Sequence, residues 1–292
     1  MKKIIFFCFL FVLIGTSCDR SSEQVPVPAY IYVQDIRFVQ GNPAREGTAA
    51  HKIVDAWISV NGQLIGVNKL PTLLPVILSD SIDNHQVTIR AGIAKNGVTS
   101  TRTDYLVFHR YNEFRPLQGG KTDTFVATVG YDTNVVIQKI EDFEGVGIAF
   151  GEDLDGNPNT SMTRQTADIY EGDYSGQLII DSANLECRLA STARFNNLQP
   201  AGTAFAVYLE LHYKTEIPIQ IGLVAHYANG QSETRWKGGV NALGFWNKVY
   251  FDFSEDIFQL NAQSYSLILG VQNTNRLAAP KVYLDNIKLV HF

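Results

Sequence analysis

Over most of the chain, apolar residues recur at every second position in short runs, and no long stretch repeats at the helical period. Period two puts successive side chains on opposite faces of a strand, so this texture predicts strands buried on one side. From Tyr30 the runs Ile31-Tyr32-Val33 and Ile36-Arg37-Phe38-Val39 open a strand region that Gly41-Asn42-Pro43 breaks. Val54 to Val60, then Asn61-Gly62, then Gln63 to Val67 predict a hairpin, because Asn-Gly tolerates the positive φ angles of a type I′ turn. Further strands are predicted at Gln86 to Arg90, Thr103 to His109 and Asp123 to Val129. Strands at this spacing predict a small β-sandwich over residues 29–132.

Tyr131-Asp132-Thr133-Asn134 reads as a short junction, and residues 135–292 as a second, larger β unit. Val207, Leu209, Leu211 and Tyr213 share one side of a strand, with Tyr208, Glu210 and His212 on the other. In Ile217 to Tyr227, Ile217, Ile219, Ile221, Leu223 and Tyr227 form the apolar set, and Gln220 and His226 point away. Asn229-Gly230 predicts a second hairpin leading into Thr234-Arg235-Trp236. Val249, Phe251 and Phe253 alternate with Lys248, Tyr250 and Asp252, and Tyr265, Leu267, Leu269 and Val271 with Ser264, Ser266 and Gln272. One apolar and one polar face per strand is what two packed antiparallel sheets require. The expected fold class is therefore all-β, with two β-sandwich domains.

Two resemblances refine this. Trp57-x-x-Val60-Asn61-Gly62, Gly66, Leu70-Pro71, Pro75-Val76 and His85-x-Val87-x-Ile89 resemble small surface β-domains of the PEGA type. That implies an Ig/PEGA-like sandwich serving as a spacer or adhesion module. Ile140-Glu141-Asp142-Phe143-Glu144, Tyr170 to Gly176, Phe245 to Phe253 and Val282 to Leu289 occur in the order seen in carbohydrate-binding-module-like jelly rolls of the galactose-binding-like superfamily. The second resemblance implies a jelly roll for 135–292 that binds sugar, binds protein or braces a neighbour.

The first residues break the alternation. Lys2 and Lys3 precede an unbroken apolar run from Ile4 to Ile14, followed by Gly15-Thr16-Ser17-Cys18. This is the layout of a secretory signal over 1–17, and the run is shorter than the roughly 20 residues a spanning helix needs. Thr16-Ser17 before Cys18 resembles the lipobox of bacterial lipoproteins, with Gly15 where that motif usually has an aliphatic residue. The resemblance implies acylation of Cys18, a membrane as partner, and an outer-membrane lipoprotein on the periplasmic or the surface face. The other reading is an ordinary secretory signal cut near Ser17. Residues 18–28, polar and then punctuated by Pro26 and Pro28, read as a tether.

Net charge is −5, and removing Lys2 and Lys3 makes the remainder more acidic. Without a basic stripe, nucleic acid is excluded as a partner. Of three cysteines, Cys8 leaves with the signal and Cys18 is the lipid site, so no intramolecular disulfide is expected. Cys187, between Leu185 and Leu189, reads as a small buried hydrophobe.

Candidate chemistry is sparse. In many of these jelly rolls a calcium ion ties the first strand to the last, and the resemblance places Glu144 and Asp285 at its carboxylates. The alternative is that both accept backbone amides. Glu152 to Asn157 has alternating oxygens and a glycine, but lacks the closing Glu of a 12-residue EF-hand loop, and reads as a solvated turn. Glycan binding asks for flat aromatics beside polar groups, and Tyr208, Glu210, His212, Gln220, His226, Arg235, Trp236 and Tyr250 project away from the inferred core. Trp246 reads as core. The six histidines form no His-x-x-x-His pair, and no Gly-x-Ser-x-Gly or Gly-rich phosphate loop occurs. The expected function is binding without turnover, of an extracellular or envelope glycan. The alternative is an accessory subunit of an outer-membrane protein assembly.

Overall fold

The computed structural model describes residues 26–79, 83–198 and 206–292. The signal-like run, Cys18 and the tether up to residue 25 lie outside the described residues.

The first sandwich comprises β1 (Ala29–Phe38), α1 (Pro43–Glu46), β2 (Asp55–Val60), β3 (Gln63–Lys69), β4 (Thr72–Val76), β5 (His85–Ala94), β6 (Arg102–Asp104), β7 (Tyr111–Arg115) and β8 (Thr122–Val129). One sheet runs β4-β1-β8, with β1 antiparallel to β4 and parallel to β8. The other runs β3-β2-β5, with β6 and β7 both against β5. Ile31, Val33, Ile36 and Phe125 of the first pack on Ile58, Val87 and Ile89 of the second, all buried. The β2–β3 hairpin turns on Asn61 and Gly62, with φ of 48° and 81°. The strand expected over Thr103 to His109 stops at Asp104. Tyr105 still bonds back to the Ala91 carbonyl, but Phe108 N–H then turns onto the Tyr105 carbonyl, 3.0 Å away. Burial of Tyr105 and Phe108 wins over continued pairing.

The second sandwich comprises β9 (Val136–Glu141), β10 (Glu152–Asp153), β11 (Ser161–Gln165), β12 (Ser175–Ile179), β13 (Glu186–Ala190), β14 (Val207–Thr215), β15 (Ile219–His226), β16 (Ser232–Val240), β17 (Leu243–Asp252), α2 (Ser254–Leu260), β18 (Ser264–Gln272) and β19 (Val282–His291). Its sheets run β11-β12-β19-β14-β17, with β9 also on β19, and β10-β13-β18-β15-β16. The chain is thus all-β in two sandwiches, the second a jelly roll. Leu209, Leu211, Phe251 and Leu284 face Ile221, Leu223, Leu267 and Leu269 across the core. Cys187 joins them fully buried, and burial pushes its thiol up to about 12, so it is inert at neutral pH.

The outer face of the β14 sheet positions everything that follows. Cross-strand register sets out four rows: Tyr208 with Asp252 and Val290, Glu210 with Tyr250 and Lys288, His212 with Lys248 and Asp285, and Lys214 with Tyr283. The first sandwich rests on the first two rows, so that Tyr208, Tyr250 and Val290 belong to its apolar cluster.

Gly176 of β12 lies directly beneath the fully buried Phe143 ring, where an added Cβ would overlap the ring carbons. Gly176→Ala is therefore expected to cost about 1–3 kcal/mol through overpacking, read as a lowered melting temperature.

Candidate functional site

On β14 the period-two alternation points Tyr208, Glu210 and His212 away from the jelly-roll core, but the first sandwich covers Tyr208 and Glu210, and Tyr170 covers His212. Tyr208 and Tyr250 are each 2% exposed, and Glu210 and His212 each 1%. These four cannot serve as an open glycan face in this arrangement. The Glu210 carboxylate lies 2.6 Å from Lys248 Nζ and 3.6 Å from Lys288 Nζ. It also accepts the hydroxyls of Tyr105 and Tyr131, both at 2.5 Å. The two ammonium groups in turn donate to first-sandwich carbonyls, Lys248 to Ala50 at 2.7 Å and Lys288 to Glu46 at 2.8 Å. Burial alone would raise the Glu210 carboxyl; Lys248 and Lys288 outweigh it and hold it down to about 2. Burial lowers Lys288 to about 8, against the pull of Glu210, so Glu210 and Lys288 stay charged at neutral pH.

The remaining four predicted contacts sit in the opposite sheet, with the jelly-roll core between the two groups. His226 is buried, its ring nitrogens each 3.0 Å from a serine hydroxyl, Ser232 and Ser266. Gln220 is exposed. Arg235 pairs with Glu233 at 2.9 Å. Trp236 lies over Gly270, where an added Cβ would stand 2.8 Å from the indole. The eight residues therefore do not converge in one groove.

A different group does converge, around the His212 and Lys214 rows. The segment between β11 and β12 folds over that surface and stacks Tyr170 on His212, centroids 3.9 Å apart and planes 18° apart. Trp246 stands 5.8 Å from Tyr170 and 6.4 Å from Tyr283. Asp168 fixes its edge: Trp246 Nε1 donates to one carboxylate oxygen at 2.8 Å, and Lys214 Nζ to the other at 2.5 Å. Trp246 is thus half-buried on the outer face and not in the core. Its alternation with Lys248 and Tyr250 on β17 is the signal that places it there. Lys214 follows His212, and Tyr283 precedes Asp285, by the same period. Tyr170 and Asp168 come from irregular backbone, where no periodicity points to them.

His212 beneath Tyr170 has no hydrogen-bond partner on either ring nitrogen, and burial together with Lys248 lowers it to about 3. It is a neutral, apolar-like support for the stack.

The pair suggested for calcium holds this same segment. Glu144 Oε1 accepts the amides of Asp173 and Tyr174 at 2.9 and 3.0 Å. Asp285 accepts those of Glu171 and Asn286 at 3.3 and 2.7 Å. Both carboxylates thus accept backbone amides, and among the described residues no three His, Cys, Asp or Glu gather as metal ligands. The amide-accepting alternative describes the geometry. In the acidic stretch, Asp153 likewise accepts the amides of Asp155 and Gly156 at 3.0 and 2.8 Å, as a turn does.

No family model matches this chain, and no curated protein matches it. Among solved structures it is similar to the enzymatically active domain of tailspike protein 4 from bacteriophage CBA120, at 9% identity and a TM-score of 0.38. That likeness covers 55% of this chain and 20% of the tailspike chain. It is also similar to a family 30 carbohydrate-binding module, at 14% identity and TM-score 0.42, over 53% of this chain and 87% of that one. The family 11 module of the Clostridium thermocellum cellulase Lic26A-Cel5E shares 14% identity at TM-score 0.37, over 55% of this chain and 97% of that one.

Two outcomes test these environments. Glu210→Ala leaves Lys248 and Lys288 buried without a countercharge and should cost about 3–5 kcal/mol in denaturant unfolding. Asp285 is pushed up to about 7, by burial first and then by Glu144, against its amide bonds. The ordinary carboxyl value in an unfolded chain is about 3.9. The folded state therefore holds the extra proton between those values, and the stability contributed is full below about pH 4 and lost as pH rises through 7. Melting temperature should fall from pH 5 to pH 8, and Asp285→Asn should flatten that fall; an identical slope in the variant would count against it.

Proposed function

We propose that this protein is a membrane-anchored lipoprotein whose jelly roll retains an extracellular or envelope glycan, without turnover. The observation that carries the reading is the aromatic group over the far half of the β14 sheet face, where the partly exposed Tyr170 and Trp246 stand with the buried Tyr283 beside Asp168 and Lys214. Sugar rings present apolar C–H faces and a rim of hydroxyls, and a half-exposed indole flanked by a carboxylate and an ammonium meets both. Trp246 is already held at its N–H by Asp168, so little side-chain freedom is lost on binding. The leader and Cys18 support attachment to a membrane, on its periplasmic or surface side, and the first sandwich acts as a spacer that carries the jelly roll outward. An accessory place in an outer-membrane assembly is the second reading. It is favoured by β4, an edge strand on which Leu73 is 53% exposed, followed by Ile77 at 63%.

On a polysaccharide array, Trp246→Ala and Tyr170→Ala should each weaken retention about tenfold while circular dichroism stays unchanged. Trp236→Ala, on the opposite sheet, should leave retention intact. An intact protein that binds no glycan sinks the reading in favour of the assembly role.

A further inference from the structure

Away from the aromatic platform, a crevice of about 100 Å³ opens where the first sandwich meets the edge strand β17. Lys52, Asp55, Lys69 and Thr99 line it from the first sandwich, and Tyr213 and Asn247 from the jelly roll. At roughly 10–15 Å³ per water-sized group, it takes the leading edge of a small ring, with the rest outside its mouth.

The polar groups at the crevice are fixed from both sides. Lys52 Nζ reaches across to Asn247 Oδ1 at 2.6 Å, and the Lys52 amide donates to the Tyr250 hydroxyl at 2.8 Å. Asn247 in turn donates to the Tyr213 hydroxyl at 3.0 Å. This uses one of the three Lys52 ammonium protons and leaves the others free to donate. Lys69 is exposed and stands opposite Asp55 in the β2–β3 ladder. Asp55 is the unusual member. It is fully buried, its nearest cation is Arg102 Nε at 3.4 Å, and neither carboxylate oxygen accepts a hydrogen bond. A buried carboxylate without donors is costly, and a ligand hydroxyl satisfies it.

We propose that this crevice binds the acidic end of a glycan, a uronate whose carboxylate sits between Lys52 and Lys69 and whose adjoining hydroxyl donates to Asp55. Arg102 already counters Asp55, so the two ammonium groups leave positive charge for a ligand carboxylate to meet. A neutral hexose leaves that charge unmet, and acetate lacks the hydroxyl for Asp55. The inference takes its ligand class from the glycan reading, but the site shares no residue with the Trp246 platform.

Isothermal titration of the full-length protein in detergent at low salt, with D-glucuronate, D-galacturonate, D-glucose, D-galactose and acetate, tests it. At least one uronate should bind at least tenfold more tightly than the neutral sugars and acetate. Lys52→Met with Lys69→Met should abolish that preference, and Asp55→Asn should weaken uronate binding severalfold, both with array retention at the Trp246 platform unchanged. No uronate binding, equal binding of acetate, or full uronate binding by the double lysine variant overturns the inference. Because array retention reports the platform alone, a protein that keeps it but ignores uronates fails only here, and one that binds uronates after Trp246→Ala has lost only the platform.

Discussion

A single carboxylate, that of Glu210, sets the relation between the two sandwiches. Sealed from water, it holds its charge only because Lys248, Lys288 and two tyrosine hydroxyls surround it. Each partner is then committed elsewhere: the tyrosines come from the first sandwich, and the ammonium groups also bind its Ala50 and Glu46 carbonyls. An apolar contact of the same area tolerates sliding, whereas each bond of this cluster joins a defined donor and acceptor across the two sandwiches. Buried ion pairs add little net stability over apolar packing. The contribution argued for Glu210 is therefore orientation, with the apolar cluster around Tyr208, Tyr250 and Val290 supplying the adhesion.

From that docking follows what the rest of the jelly roll can present. Two of four side-chain rows on the β14 sheet are consumed, and the other two are roofed by a segment that has no regular structure of its own. Glu144 and Asp285 hold that segment by its amides, and the neutral His212 ring supports Tyr170 from below. Asp285 has been desolvated far enough to raise its carboxyl to about 7, so the platform rests on a group that resists ionisation.

Much of this was legible in the chain. The Asn61-Gly62 hairpin, the alternation along β14, β17 and β18, and the buried Cys187 follow from backbone sterics and period two. Trp246 was legible too, since it keeps step with Lys248 and Tyr250, but bulk alone suggested a core residue. Two things were not legible. Period two tells which side of a strand avoids its own core, and says nothing of a second domain or an irregular segment covering that side, so Tyr208, Glu210, His212 and Tyr250 read as a surface. Likewise, Tyr170 lies in a segment held by Glu144 and Asp285, carboxylates distant in sequence, and Asp168 is held by Gln165 and Ser175 in irregular backbone where period two gives no signal. Thr103 to His109 alternates like a strand, yet two aromatic side chains there serve the domain junction instead.

The place of β1 in its sheet bears on mechanics. It is the first strand among the described residues and is bonded on both edges, antiparallel to β4 and parallel to β8. A pull entering at Ala29 runs along the strand axis, so the bonds on both edges are loaded together in shear and do not peel one after another. Load entering from the N-terminal side thus meets strand bonds that yield together.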